Sequence, residues 1–354
     1  MEAKMMNDLK SIYEMLGDEE SKDIFMNRMN FLISGEHKYM RYIVDTYVPD
    51  MAALNNKAIP ELLSLLPEDR PIILYGAGAD AKMNLHYFED DLRFKGFCDG
   101  DIDKQKNGVA GYPVMSPEEL LNTPDVSIVI STHRGMDEIR RFLKENNVPD
   151  ERVYKMTPYM YYSEAEQYFN PDFMKYEEEE VFIDAGCNNL STAAKLKKYC
   201  KKVKKVYAFE PDPSNYDVCL KNREWFDDGT VEVFPCGTWS EKKTLYFSAT
   251  GDGSSHVTDS GEVSIEVTRI DDVVDPEVRV TFIKMDVEGS ELESLKGAKE
   301  TIQRDKPKLA ICIYHKPEDM ITLPLYIRSI VPEYKLYLRH HSNGAGETVL
   351  YAMP

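Results

Sequence analysis

Three apolar runs in the second half of the chain each stop on an acid: VFID at 181–184, VYAFE at 206–210 and TFIKMD at 281–286. Short apolar runs bounded by turn residues are buried strands, and the helical periodicity between them makes this a βα alternation. Such a chain folds as an open, doubly wound sheet whose ligands gather at the carboxyl ends of its strands. Asp184, Glu210 and Asp286 are therefore expected along one crevice.

The first run opens into AGCNNLST, where Gly186 lets the backbone approach a ligand and Ser191-Thr192 begin a helix. After Glu210, Asp212 and Pro213 supply an N-cap and a first-turn proline. TVEVFPCGTW is a third strand running into a Cys236-Gly237 loop. KTLYFSA and VSIEVTRI alternate with period two, which predicts an inserted hairpin around GDGSSH, with Ser254 and Ser255 placed to close over an acceptor. The run ending at Asp286 turns through Glu288-Gly289 into a helix with a capping box, Ser290 and Glu293. KLAICIYH is a fifth strand ending near His315, and KLYLRHH with ETVLYAMP closes the sheet as an antiparallel pair.

The first half has a different texture. Residues 1–66 read as helical, with Ser21 as a cap and Pro49 and Pro60 as punctuation, and suit a docking or dimerisation segment. Residues 67–156 read as a small Rossmann-like domain. IILYGAGADA carries G-x-G-x-x-A (Gly76, Gly78, Ala81), FKGFCD places Asp99 where a ribose-binding acid belongs, and SIVISTH and RVYKM supply two more strands. With its GYPV turn, this unit resembles the small Rossmann-like domains that accompany sugar-modifying enzymes. A nucleotide or nucleotide-sugar at Gly76, Gly78 and Asp99 is the ligand it implies. Residues 157–180 are a linker ending in four acids, Glu177 to Glu180, read as a solvated edge, and 181–354 form the second α/β domain.

Composition narrows the partners. A formal net charge of −19 repels a phosphate backbone, so nucleic acid is excluded as a general partner. No apolar stretch reaches the length of a membrane span, and the cytoplasm is the expected location. The six cysteines include no C-x-x-C pair, which argues against a zinc knuckle or a disulfide framework.

The crevice chemistry is acidic, and its turn has one usable glycine. A pyrophosphate would ask for bare amides, whereas S-adenosylmethionine carries an ammonium, a sulfonium and a ribose diol, which Asp184 and Glu210 suit. VFIDAGC, VYAFEPDP, TRIDDV, FIKMDVEGSELESLKGA and PKLAICIYHKPED together resemble successive blocks of the FkbM-type methyltransferase family. The resemblance implies a class I methyltransferase fold with a doubly wound, mostly parallel seven-stranded sheet, acting with S-adenosylmethionine on hydroxyls of sugars, glycans or related small molecules. It places the cofactor at Asp184, Gly186 and Glu210, with Asp286 facing cofactor and acceptor; Asn188, Cys236 and Gly237, at the same strand ends, are the further cofactor-binding candidates. Asn189-Leu190 depart from the family's D-x-G-x-N-x-G turn. For the hydroxyl proton the candidate groups are His315 and Asp286, with His340 a weaker candidate for acceptor binding and Trp239 for stacking. No metal is assigned. N-methylation of an amine and a non-catalytic nucleotide-sugar-binding protein stand as alternatives.

Overall fold

The apolar runs become parallel strands in the computed structural model, which describes residues 2–132, 135–156, 167–169, 172–248, 256–258 and 263–354. The chain divides into two units, Asn30–Tyr162 with Ser342–Ala345, and Met1–Met29 with Ser163–His341 and Gly346–Pro354.

The smaller unit holds five parallel strands: β1 (Ile72–Tyr75), β2 (Phe94–Cys98), β3 (Val114–Met115), β4 (Ser127–Ile130) and β5 (Val153–Lys155). Their order is β3-β2-β1-β4-β5. Every residue of β1 and β4 is buried, because apolar clusters cover both faces of the sheet. The GYPV segment adds a strand that the sequence pattern does not reveal. β3 has two residues, too few for a period, and it is held by tight approach. A Cβ on Gly96 (φ +128°) would lie 2.4 Å from the Pro113 carbonyl oxygen, which accepts the Phe97 N–H at 3.0 Å. Pro60, expected to end a helix, lies inside Pro49–Leu65. Ile59 beside it is fully buried in the core, and that packing offsets the hydrogen bond the proline removes.

The larger unit continues with β6 (Glu179–Ala185), β7 (Lys202–Phe209) and β8 (Val231–Phe234). A second sheet follows, of β9 (Gly237–Thr238), β10 (Lys243–Ser248), β11 (His256–Thr258) and β12 (Val263–Thr268). The chain then returns through β13 (Phe282–Met285), β14 (Lys308–Cys312), β15 (Lys335–His340) and β16 (Thr348–Met353). The main sheet runs β15-β16-β14-β13-β6-β7-β8, parallel except for β16, which is antiparallel to both neighbours. This is the doubly wound, mostly parallel seven-stranded α/β sheet expected of a class I methyltransferase. Its strand order reverses between β6 and β13, so a crevice opens at their carboxyl ends. The two alternating runs pair antiparallel as β10 and β12, but β11 intervenes in sequence and takes the other edge of β10, so they do not form a simple hairpin; Ser254 and Ser255 lie outside the described residues.

Three local readings are corrected. Ser21 does not cap its helix; Asp18 does, accepting the Ser21 N–H at 2.8 Å. The Ser21 hydroxyl instead accepts the Leu338 N–H at 2.9 Å on the edge strand β15, where Gly17 N–H also donates to Leu336 at 2.8 Å. Arg339 fastens this segment through Asp18 at 2.6 Å and Glu20 at 3.2 Å, so residues 16–21 cover an edge that would otherwise expose unpaired backbone. Glu177 to Glu180 are not a merely solvated run. Glu180 is fully buried against Lys308 at 2.9 Å, and Glu177 bonds Arg279 at 2.8 Å, because a base at the start of β14 and another just before β13 face these acids. No side-chain capping bond forms at Ser290. The Glu291 carboxylate takes the free Val287 N–H at 3.1 Å, and Glu293 turns to Ser240 and Lys296.

Candidate active site

The crevice is built around one close approach. Gly186 follows β6 with φ +75°, and a Cβ there would lie 1.9 Å from the Asp286 carbonyl oxygen, so only glycine lets the first turn pass beneath the end of β13. Two non-glycine residues of the turn also have positive φ, Asn188 at +54° and Leu190 at +65°. Asparagine tolerates this conformation; leucine does so at a cost, and Leu190 stands where the family pattern has glycine. Full burial of its side chain holds it there.

Behind the turn lies a charged group that the sequence reading passed over. Lys284, in the middle of β13, is 3% exposed and donates to the Gly186 carbonyl at 2.6 Å, while Asp184, fully buried, pairs with it at 3.2 Å. Burial pulls the Lys284 ammonium down, but Asp184 and then Asp286 outweigh it and hold the group above its ordinary range. The Tyr168 ring adds a face 5.1 Å from the nitrogen. Asp184 thus directs its charge to Lys284 rather than into the open crevice. A lysine within an otherwise apolar strand was the available signal.

Glu210, at the end of β7, accepts the Asn188 N–H at 2.8 Å and the Asp212 N–H at 2.9 Å. Burial pushes its carboxyl up, and these amides pull it partly back. Each oxygen retains acceptor capacity for a ligand diol. The Asp212 cap forms as expected, accepting Ser214 and Asn215 N–H at 2.9 and 3.0 Å. The Cys236-Gly237 loop adjoins this corner, since a Cβ on Gly237 would lie 3.9 Å from Pro211. Burial raises the Cys236 thiol to about 11, and the buried Cys187 thiol is pushed up by its contact with Cys219, at 3.5 Å, and by burial. Neither is set up as a nucleophile.

On the other side of the crevice, Asp286, Glu288 and His315 place one ligand-type atom each within 4.8 Å of one another. His315 Nε2 lies 3.5 Å from Asp286 and 3.6 Å from Glu288, while its Nδ1 is 2.8 Å from the buried Glu291. Burial lowers the imidazole, yet the Glu291 hydrogen bond and charge, followed by Asp286 and Glu288, raise it to about 9. Tyr168 donates to the second Asp286 oxygen at 2.8 Å. Glu347, raised to about 7 by burial and by Asp286, hydrogen-bonds Gln167. Glu291, Tyr168 and Glu347 were all missed from sequence. His340 and Trp239 are not drawn in. His340 Nδ1 meets Thr348 at 2.9 Å within the strand pair, and the Trp239 ring lies under Lys243 while its backbone N–H donates to the Thr268 carbonyl at 2.8 Å.

In the smaller unit, Gly76 (φ +107°) turns against Thr132, and Asp99 accepts the Ala77 N–H at 2.8 Å and the Asp101 N–H at 3.0 Å. Lys104 pairs with Asp99 at 3.0 Å. The carboxylate expected to hold a ribose is thus engaged by the Gly76 turn and by its own loop.

Residues 184–341 match a family model described as the Methyltransferase FkbM domain. The hexuronic acid methyltransferase AglP of Haloferax volcanii is 33% identical over 132 residues, covering 36% of this chain and 53% of that protein. Methyltransferase 1 of Beauveria bassiana is 25% identical, covering 36% of this chain and 61% of its own length. The chain therefore spans between half and two thirds of the length of the curated relatives it matches. Among solved structures, an FkbM methyltransferase from Methylobacillus flagellatus KT superposes with a TM-score of 0.48 at 20% identity, over 88% of this chain and 99% of that one. Among the described residues, no helix is long and apolar enough to cross a membrane.

Proposed function

From the match of residues 184–341 to the FkbM methyltransferase domain, we propose that the protein transfers the methyl group of S-adenosylmethionine to a hydroxyl of a sugar or glycan-linked acceptor. The observation that carries the reading is the pairing of the Gly186 turn with Glu210, a buried carboxylate with spare acceptor capacity at the carboxyl edge of a class I sheet. Glu210 receives the ribose hydroxyls, the Gly186–Asn188 turn receives the methionine end, and the Cys236-Gly237 loop flanks the adenine. Asp184 acts through Lys284, which pins the Gly186 carbonyl.

In the transfer, the methyl–sulfur bond breaks as the methyl–oxygen bond forms, and the hydroxyl proton departs. S-adenosylhomocysteine and the methyl ether are the products. The sulfonium is already an activated leaving group, so in-line placement supplies much of the rate. Asp286 and His315 are the groups placed to handle the acceptor's proton. Kinship with an enzyme named for a hexuronic acid favours a sugar acceptor.

Calorimetry with S-adenosylmethionine tests the site: binding is expected in the native chain and its loss in Glu210→Ala, and unchanged heat in that variant overturns the assignment. Assays across sugar and amine acceptors with mass detection test the acceptor. Full activity of His315→Ala on an amine would favour N-methylation.

A further inference from the structure

We propose that Asp286, Glu288 and His315 bind a divalent cation at the acceptor side of the crevice. The inference rests on the methyl-transfer reading only for its purpose, since the binding geometry stands on its own.

The first argument is spacing. Atoms that share one cation at about 2.1 Å lie about 3.0–3.4 Å apart at octahedral to tetrahedral angles. His315 Nε2 stands 3.5 Å from Asp286 Oδ1 and 3.6 Å from Glu288 Oε2, too long for good hydrogen bonds and close to the separation of co-ligands. All three ligand-type atoms lie within 4.8 Å of one another, so the set closes on a cation by contraction about His315.

The second argument is what stands behind these atoms. Glu291, fully buried, lies 2.8 Å from His315 Nδ1 and accepts its hydrogen, so a cation that displaces the Nε2 proton meets a lone pair facing the two carboxylates. A carboxylate behind a histidine is the arrangement that orients imidazole ligands for metals. Tyr168 does the same for Asp286, holding Oδ2 at 2.8 Å, while Oδ1 is buried with no hydrogen-bond partner. Buried acceptors are normally satisfied, so an oxygen without a hydrogen bond, 3.5 Å from a ligand-type nitrogen, suits a shared cation.

The third argument is charge. Asp286, Glu288, Glu291 and Glu347 surround this corner, and a divalent cation offsets their mutual repulsion. One nitrogen and two oxygens leave positions open for acceptor oxygens, and an alcohol bound there ionises more readily. The cation would thus orient a sugar hydroxyl and ease the departure of its proton.

The test reads binding on the full-length protein, freed of chelator and without S-adenosylmethionine, by titrating Mn²⁺ under electron paramagnetic resonance. One Mn²⁺ per chain is expected. Its affinity should fall at least ~10-fold in Glu288→Gln and 10–100-fold in the positioning variant Glu291→Gln. Glu288 is 76% exposed, so its variant should fold with an unchanged melting temperature. Absence of a Mn²⁺ site in the native chain, or equal affinity in Glu288→Gln, overturns the proposal. Glu210→Ala should keep Mn²⁺ binding while losing S-adenosylmethionine, so the cation site and the methyl-donor site fail separately.

Discussion

The two glycine turns of this protein, Gly76–Ala81 and Asp184–Leu190, are built by one rule and end in different chemistry. In each, a parallel strand stops, a glycine at positive φ turns the chain into a helix, and an acid on the neighbouring strand accepts an amide from the turn: Asp99 from Ala77, Glu210 from Asn188, both at 2.8 Å. A group from the strand on the other side holds the glycine carbonyl. For Gly76 it is the Ser131 hydroxyl at 2.8 Å, and for Gly186 the Lys284 ammonium at 2.6 Å. The difference lies in the charge left over. Lys104 neutralises Asp99, whereas among the described residues no ammonium or guanidinium pairs with Glu210. The turn with the fuller glycine pattern has its acid engaged at home, and the turn with the poorer pattern keeps an acid for a ligand. Glycine spacing reports how the backbone bends; the unneutralised charge reports what it bends around.

The largest break in this comparison comes from adding one methyl group to each turn. Gly186→Ala drives a Cβ into the Asp286 carbonyl at 1.9 Å, and it should destabilise the larger unit by about 4 kcal/mol or more and remove S-adenosylmethionine binding. Gly78→Ala meets no atom within 4 Å and has φ −93°, so it should be neutral or stabilise by about 0.4–1 kcal/mol. Paired denaturation curves check both. Equal effects would mean that the turns are interchangeable.

Removing the acids comes next. Glu210→Ala should weaken S-adenosylmethionine at least ~100-fold, as expected for losing hydrogen bonds to a charged acceptor. Asp99→Ala should leave that affinity alone and cost about 1–3 kcal/mol through the stranded Ala77 and Asp101 amides. A nucleotide-sugar that raises the melting temperature of the native chain but not of Asp99→Ala would overturn the contrast and restore a ligand to the smaller unit.

Much of this was legible in sequence because it rests on strands and their ends. The acids at 184, 210 and 286, the hairpin from 243 to 268 and the closing antiparallel pair all follow from periodicity and turn chemistry. What escaped are contacts between distant residues. Arg339 meets Asp18 across 321 positions, and Tyr168 meets Asp286 across 118, with no local pattern to announce either. Glu291 was hidden by its neighbours, because S-E-L-E reads as a capping box on Ser290 and Glu293 while the buried acid in between serves His315. Lys284 and Glu180 escaped for a shared reason. Charged residues are expected at the surface, and each is buried here only because an opposite charge compensates it, one strand away for Lys284 and two strands away for Glu180.

The smallest expected effect is also the finest test of the two acids, because they titrate in opposite senses. Glu210 is raised above its ordinary value by burial, so its ionised form is disfavoured in the fold, and any stability it contributes is lost as pH rises through the raised value. Asp99 also feels burial, but the Ala77 and Asp101 amides and Lys104 outweigh it and hold the carboxyl below its ordinary value. Its contribution is present above the unfolded value and is lost as pH falls through the depressed one. On acidification from neutrality, Glu210 should therefore take its proton first, above its ordinary value, and S-adenosylmethionine affinity should begin to fall there, approaching about tenfold per pH unit. The Asp99 loop should hold until the pH is below 3.8. Calorimetric affinity and amide exchange at Ala77, followed over one acid titration, separate the two. Loss of protection at Ala77 before any loss of affinity would reverse the assignment of which acid is committed and which is kept for a ligand.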